Sequence, residues 1–140
     1  MKKLMLLLVE DNPADVFLVR EALREEGLDC DLEVVNDGEQ AIQYFERVDA
    51  GSHSTPDLVL LDLNMPRVGG EQVLNRLRES GPCAEIAVVV MTSSDSPRDR
   101  QRAADLGAAE YFRKPTNLDE FMALGKLVRR LAKQGHGAVA

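Results

Sequence analysis

The chain has 140 residues, with 24 acidic and 17 basic side chains and a formal net charge of -7. That is enough for one domain burying about 68–70% of its extended surface without a disulfide or metal staple. The negative balance repels polyanions, which argues against nucleic acid as a direct ligand, and Cys30 and Cys83, far apart and in no C-x-x-C spacing, are expected as ordinary thiols of a reducing cytoplasm.

The first apolar run, Leu4 to Val9, ends in Glu10-Asp11 before it reaches the ~7–15 residues of a signal-peptide core. It predicts a buried strand of a soluble protein, since nowhere does the chain approach the roughly 20 apolar residues of a membrane span. Asn12-Pro13 supplies a cap and a pre-set first residue for a helix over 14–26. Its Val16, Phe17, Val19, Ala22 and Leu23 share one face, and Gly27 ends it. Leu32 to Val35 predicts a second strand, Asn36-Asp37-Gly38 a turn, and 38–48 a helix with Ala41, Ile42 and Phe45 inward.

The segment 49–56, DAGSHSTP, is one long polar loop. Its His53, like His136 near the end, is expected to be solvated. Leu58 to Leu61 predicts a third strand, and 70–80 a helix with Val73, Leu74 and Leu77 inward, stopped by Gly81-Pro82. Ile86 to Met91 predicts the fourth strand; Ser96-Pro97 then opens a helix that Gly107 closes, and Tyr111-Phe112 predicts the fifth strand. The last helix, Leu118 to about Lys133, carries Leu118, Phe121, Met122, Leu127, Val128 and Leu131 on an apolar stripe. Gly125 within it costs about 1 kcal/mol relative to alanine and so predicts close packing. One domain over 1–133 is expected, with 134–140 as a frayed, flexible tail. Strand and helix alternating five times predicts an α/β fold, a parallel sheet with right-handed crossovers and helices on both faces.

In such sheets ligands sit outside the carboxyl ends of the strands. Those ends deliver Glu10 and Asp11, then Asp62, then Thr92 and Ser93, then Lys114-Pro115. Two carboxylates ~4 Å apart at an effective dielectric of ~20 repel by on the order of 4 kcal/mol, so converging acids need a cation or a shared proton. An all-oxygen donor set suits Mg2+; calcium is disfavoured because no loop resembles a twelve-residue EF-hand. With Lys114 and the Thr92 hydroxyl, the cation would make a resting place for a phosphoryl group. Asp62, at the centre of the sheet, is the candidate nucleophile.

The stretches VEDN at 9–12, LLDLNMP at 60–66, MTSS at 91–94 and YFRKP at 111–115 resemble the signature of the response regulator receiver domain, as in the chemotaxis receiver. The intervals Asp62 to Thr92 and Thr92 to Lys114 agree with that pattern, and the resemblance runs from residue 4 to about 132. It implies a doubly wound five-stranded flavodoxin-like sheet in the order 2-1-3-4-5. It implies Asp62 as phosphoacceptor of a two-component phosphorelay, with a sensor histidine kinase as donor and slow autodephosphorylation, rather than an enzyme with its own substrate. Glu10, Asp11, Asp62 and the Asn64 main-chain carbonyl become the Mg2+ ligands. Thr92 and Lys114 become the phosphoryl-oxygen partners, Tyr111 the aromatic switch, and Lys114-Pro115 a cis bond.

It further implies an interaction face of the fourth helix, fifth strand and last helix, on which a symmetric homodimer is expected. Glu10 departs from the commoner aspartate and Gly69-Gly70 from Asp-Gly. The long 49–56 loop, the EDNPADV start and the ending at the last helix resemble more the small receivers paired with bacterial phytochrome kinases.

Other readings fit these residues less well. A haloacid-dehalogenase-like phosphatase places its nucleophile on the first strand in D-x-D, the second aspartate acting as acid; here Asn64 stands two residues after Asp62 and cannot donate that proton. A phosphate-independent scaffold has no need of the full acidic set and Lys114, whereas a phosphate sink would keep both. A flavin site calls for glycine or hydroxyl groups where EDNPAD is acidic.

Overall fold

The computed structural model describes residues 3–65 and 67–139, with side chains as far as Lys133. Five strands, β1 (Leu4–Val9), β2 (Cys30–Val35), β3 (Leu58–Asp62), β4 (Ala87–Thr92) and β5 (Glu110–Arg113), form one parallel sheet in the order β2-β1-β3-β4-β5. The three inner strands are continuous apolar runs because both faces are covered. Edge strand β2 instead alternates exposed Asp31 and Glu33 with half-buried Cys30, Leu32 and Val34, which is why its first two residues carry no strand signal in the sequence.

Helices α2 (Gly38–Asp49), α3 (Gly70–Glu79) and α4 (Pro97–Asp105) cover one face around Phe45, Leu74, Leu77 and Val90. Helices α1 (Pro13–Glu25), α5 (Leu118–Phe121) and α6 (Ala123–Val139) cover the other around Leu6, Leu60, Phe121 and Leu124. The caps follow the sequence. Asn12 accepts from the Ala14 N–H, and Ser96 from Arg98 and Asp99. Asp37 is more than a turn residue, since its side chain caps α2 at the Gln40 N–H.

Several expectations need correction. The last helix is two helices, because the Gly125 N–H bonds the Met122 carbonyl three residues back and tightens the turn between α5 and α6. Gly125 itself matches its predicted role: an added Cβ would be driven into the Ala22 carbonyl oxygen of α1. The α6 backbone runs to Val139, which leaves the flexibility expected of 134–140 as an expectation. The His136 side chain lies outside the described residues.

Phe17 and Leu118 are not core residues. Phe17 lies outside the buried Val19–Ala22–Leu23 stripe and Leu118 opens a helix at the surface, leaving them 60% and 51% exposed. His53 is not simply solvated either: its ring packs on Tyr44 with centroids 4.5 Å apart, and Nε2 lies 2.9 Å from Glu33 Oε1. Both cysteines are free, Cys83 buried and Cys30 half-buried. Among the described residues no helix is long and apolar enough to cross a membrane.

Candidate functional site

The parallel register pairs Val9 with Leu61, Asp62 with Met91 and Thr92 with Arg113, so the strand ends expected to carry chemistry finish along one edge. There a cleft of about 180 Å3 is lined by Glu10, Asp11, Asp15, Asp62, Asn64 and Lys114. A larger groove of about 850 Å3 lies between α1 and β2, beside Phe17, Arg24 and Cys30. Its charged residues, Arg20, Glu21, Arg24, Asp29 and Asp31, are of both signs, whereas the smaller cleft is marked by carboxylates that close on one another and on a single ammonium. Gly70 lets α3 start against the floor of that cleft, where a Cβ would stand 2.7 Å from the Asp62 carbonyl oxygen and 2.6 Å from Leu63 Cα.

Two of the acids are held by their own backbone turns. The Asn12 N–H donates to Glu10 Oε2 (3.2 Å) and the Asn64 N–H to Asp62 Oδ1 (3.0 Å). Lys114 follows β5, its N–H bonded to the Thr92 carbonyl at 2.8 Å. Its ammonium sits 2.8 Å from Asp15 Oδ2, 2.9 Å from Glu10 Oε1 and 3.6 Å from Asp62 Oδ2. Burial alone would lower the Lys114 pKa, but the hydrogen bond to Asp15, the close contact with Glu10 and the charges of Asp62 and Glu10 outweigh it, so the proton is held more tightly than on a free lysine. Glu10, fully buried, is pushed up to about 8, first by burial and then by its contact with Asp62, with Lys114 opposing.

One oxygen each of Glu10, Asp11 and Asp62 lies within 4.8 Å of the others. Glu10 Oε1 is buried and, although close to Lys114 Nζ, has no aligned hydrogen-bond donor. An oxygen-only set with an under-satisfied buried carboxylate fits a hard divalent cation.

The remaining expected residues are less direct. Thr92 is fully buried, and its hydroxyl joins the cleft through Asn64, whose Nδ2 donates to Oγ1 at 2.6 Å. Tyr111, half-buried, donates its hydroxyl to the Ser94 carbonyl at 2.9 Å, with the Arg100 guanidinium 4.5 Å from its ring centroid. The Lys114–Pro115 bond is trans, not cis. For an X-Pro amide the two isomers differ by only about 0.5–1 kcal/mol, too little for the dipeptide alone to decide. The sequence reading missed Asp15, one turn into α1. An acid in the first turn of a helix that starts at the site edge was the available signal. Ser94, which the sequence places with Asn64 near the path of attacking water, in addition links Thr92 to Tyr111.

The family profile of the response regulator receiver domain matches residues 6–125. The chain belongs to the response regulator receiver family. This receiver is 33% identical to the response regulator Rcp1 of Synechocystis sp. over 120 residues, covering 85% of this chain and 82% of Rcp1. It is 40% identical to the transcriptional regulatory protein TrcR of Mycobacterium tuberculosis over 125 residues, 89% of this chain but only 45% of TrcR. The crystal structure of the phosphorylated cyanobacterial phytochrome response regulator RcpA superposes with a TM-score of 0.82 at 32% identity, covering 92% of this receiver and 93% of RcpA. The receiver is thus of the two-component response regulator type, and phytochrome-associated regulators are among its relatives.

Proposed function

We propose that Asp62 accepts a phosphoryl group from the phosphohistidine of a sensor histidine kinase in the cytoplasm. The observation that carries this is the meeting of Asp62, Glu10 and Asp11 with Lys114 at one sheet edge, the ammonium 3.6 Å from Asp62 Oδ2. An Asp62 carboxylate oxygen attacks phosphorus; the phosphorus–nitrogen bond breaks, and the imidazole leaves with the electron pair and takes up a proton. The Asn64 N–H orients the nucleophile by holding Oδ1, and Asp15 keeps the Lys114 ammonium aimed where phosphoryl oxygens arrive. Lys114 and the Thr92 hydroxyl then bind those oxygens.

Glu10, Asp11, Asp62 and the Asn64 main-chain carbonyl would hold Mg2+, which when bound neutralises the crowded carboxylates and the phosphoryl charge. Likeness to RcpA and Rcp1 supports a phytochrome-type kinase as donor. Output would be a protein contact, or a symmetric homodimer, on the face of α4, β5 and α6.

Intact mass after incubation with acetyl phosphate and Mg2+ tests the assignment. One phosphoryl adduct is expected in the wild type, dependent on Mg2+ and lost in Asp62→Asn. No adduct, with fast hydrolysis excluded by a quenched time course, would sink it and favour a phosphate-independent scaffold.

A further inference from the structure

The Thr92 hydroxyl oxygen has two lone pairs and one proton. The Asn64 amide Nδ2 and the Ser94 N–H, at 2.6 and 3.1 Å, occupy both lone pairs. Asn64 is itself tied to the phosphoacceptor, because its N–H donates to Asp62 Oδ1. A continuous chain therefore runs from Asp62 through Asn64, Thr92 and the Ser94 carbonyl to the Tyr111 hydroxyl and the Arg100 guanidinium on its ring.

We infer that the Asn64 side chain is a latch: a positioning residue that holds the Thr92 hydroxyl in its resting place and sets how readily Asp62 phosphorylation reaches Tyr111. This rests on Asp62 being the phosphoacceptor and goes beyond it. For Thr92 to meet a new phosphoryl oxygen it must loosen the 2.6 Å bond to Asn64, and the same displacement slackens Ser94 and releases Tyr111. The latch thus opposes the switched state by the worth of one side-chain hydrogen bond, and Asp62 must overcome it. Asn64 is exposed, and its backbone N–H survives substitution, so the amide can be removed without emptying the core or freeing the Asp62 contact.

The test is calorimetric titration with beryllofluoride and Mg2+, a phosphoryl mimic, in a double-mutant cycle, with Asp62→Asn as the blank. Asn64→Ala is expected to bind the mimic about two- to tenfold more tightly than wild type, the span expected for one net hydrogen bond. In a Thr92→Val background, where the hydroxyl is gone, the same substitution is expected to change nothing. No tightening in Asn64→Ala, or equal tightening in both backgrounds, overturns the latch. Failure of the wild type to bind the mimic overturns the phosphoacceptor reading itself, and the latch with it.

Discussion

Lys114 is the residue on which the resting site depends. Its ammonium reaches three carboxylates, two of them nearly or fully buried, and with its side chain only 10% exposed solvent screens these contacts weakly. Removing one partner of a buried ion pair leaves the others uncompensated. Lys114→Met is accordingly expected to lower unfolding free energy by about 3–5 kcal/mol, with part restored when Mg2+ replaces the lost charge. Urea melts of both proteins, with and without Mg2+, check this. An unchanged midpoint would mean that the acids relieve their repulsion by protonation alone. Arg78 makes a similar point away from the site. Its guanidinium donates to the carbonyls of Ala84 (3.1 Å), Ile86 (2.8 Å) and Gly107 (2.7 Å), bracing the chain where it enters β4 and where α4 ends. Sequence reading gives it no role, because no charged partner marks it.

Contacts between elements fix the frame that aims those residues. Gly125 brings α6 onto the Ala22 carbonyl of α1, and the Arg129 guanidinium locks that crossing by donating to the Glu26 carboxylate (2.8 Å) and carbonyl (2.6 Å). On the other face, buried Ser80 after α3 donates to Asp49 at the end of α2, which Arg76 also pairs at 2.7 Å. The Ser80 hydrogen bond first, then Arg76, holds the Asp49 carboxyl below its usual range. A depressed folded-state pKa contributes stability that is present above the unfolded value of about 3.9 and lost as pH falls through the folded one. Ser80→Ala is therefore expected to be less stable than wild type at neutral pH, and the gap to narrow below about pH 4. Chemical melts at pH 7 and in acid compare the two proteins; a gap that persists unchanged in acid would assign the loss to packing of the buried Ser80 instead.

For the whole molecule, the acidic cleft couples ligand binding to stability. A cation that binds only the folded chain adds about 2.7 kcal/mol at a hundredfold excess over its dissociation constant. The wild type is expected to melt at higher temperature with Mg2+. Asp11→Asn, at an exposed position that leaves the core intact, is expected to lose most of that gain. An equal Mg2+ response in the variant, followed by differential scanning fluorimetry, would remove Asp11 from the ligand set.

The sequence by itself determined the five strands, the helices between them, the caps at Asn12 and Ser96, and the residues at each strand end. These are local matters: period, propensity and turn chemistry act within a few residues. It also marked Glu10, Asp11, Asp62, Thr92 and Lys114, because the carboxyl ends of parallel strands share one edge of the sheet, while the strand order was implied by the family resemblance. Only the tertiary structure decided that Asp15 shares Lys114, that Thr92 reaches the cleft through Asn64, and that Phe17 and Leu118 face solvent. Each of these depends on distances between elements far apart in the chain or on which face a neighbour covers, and no window of sequence contains that information.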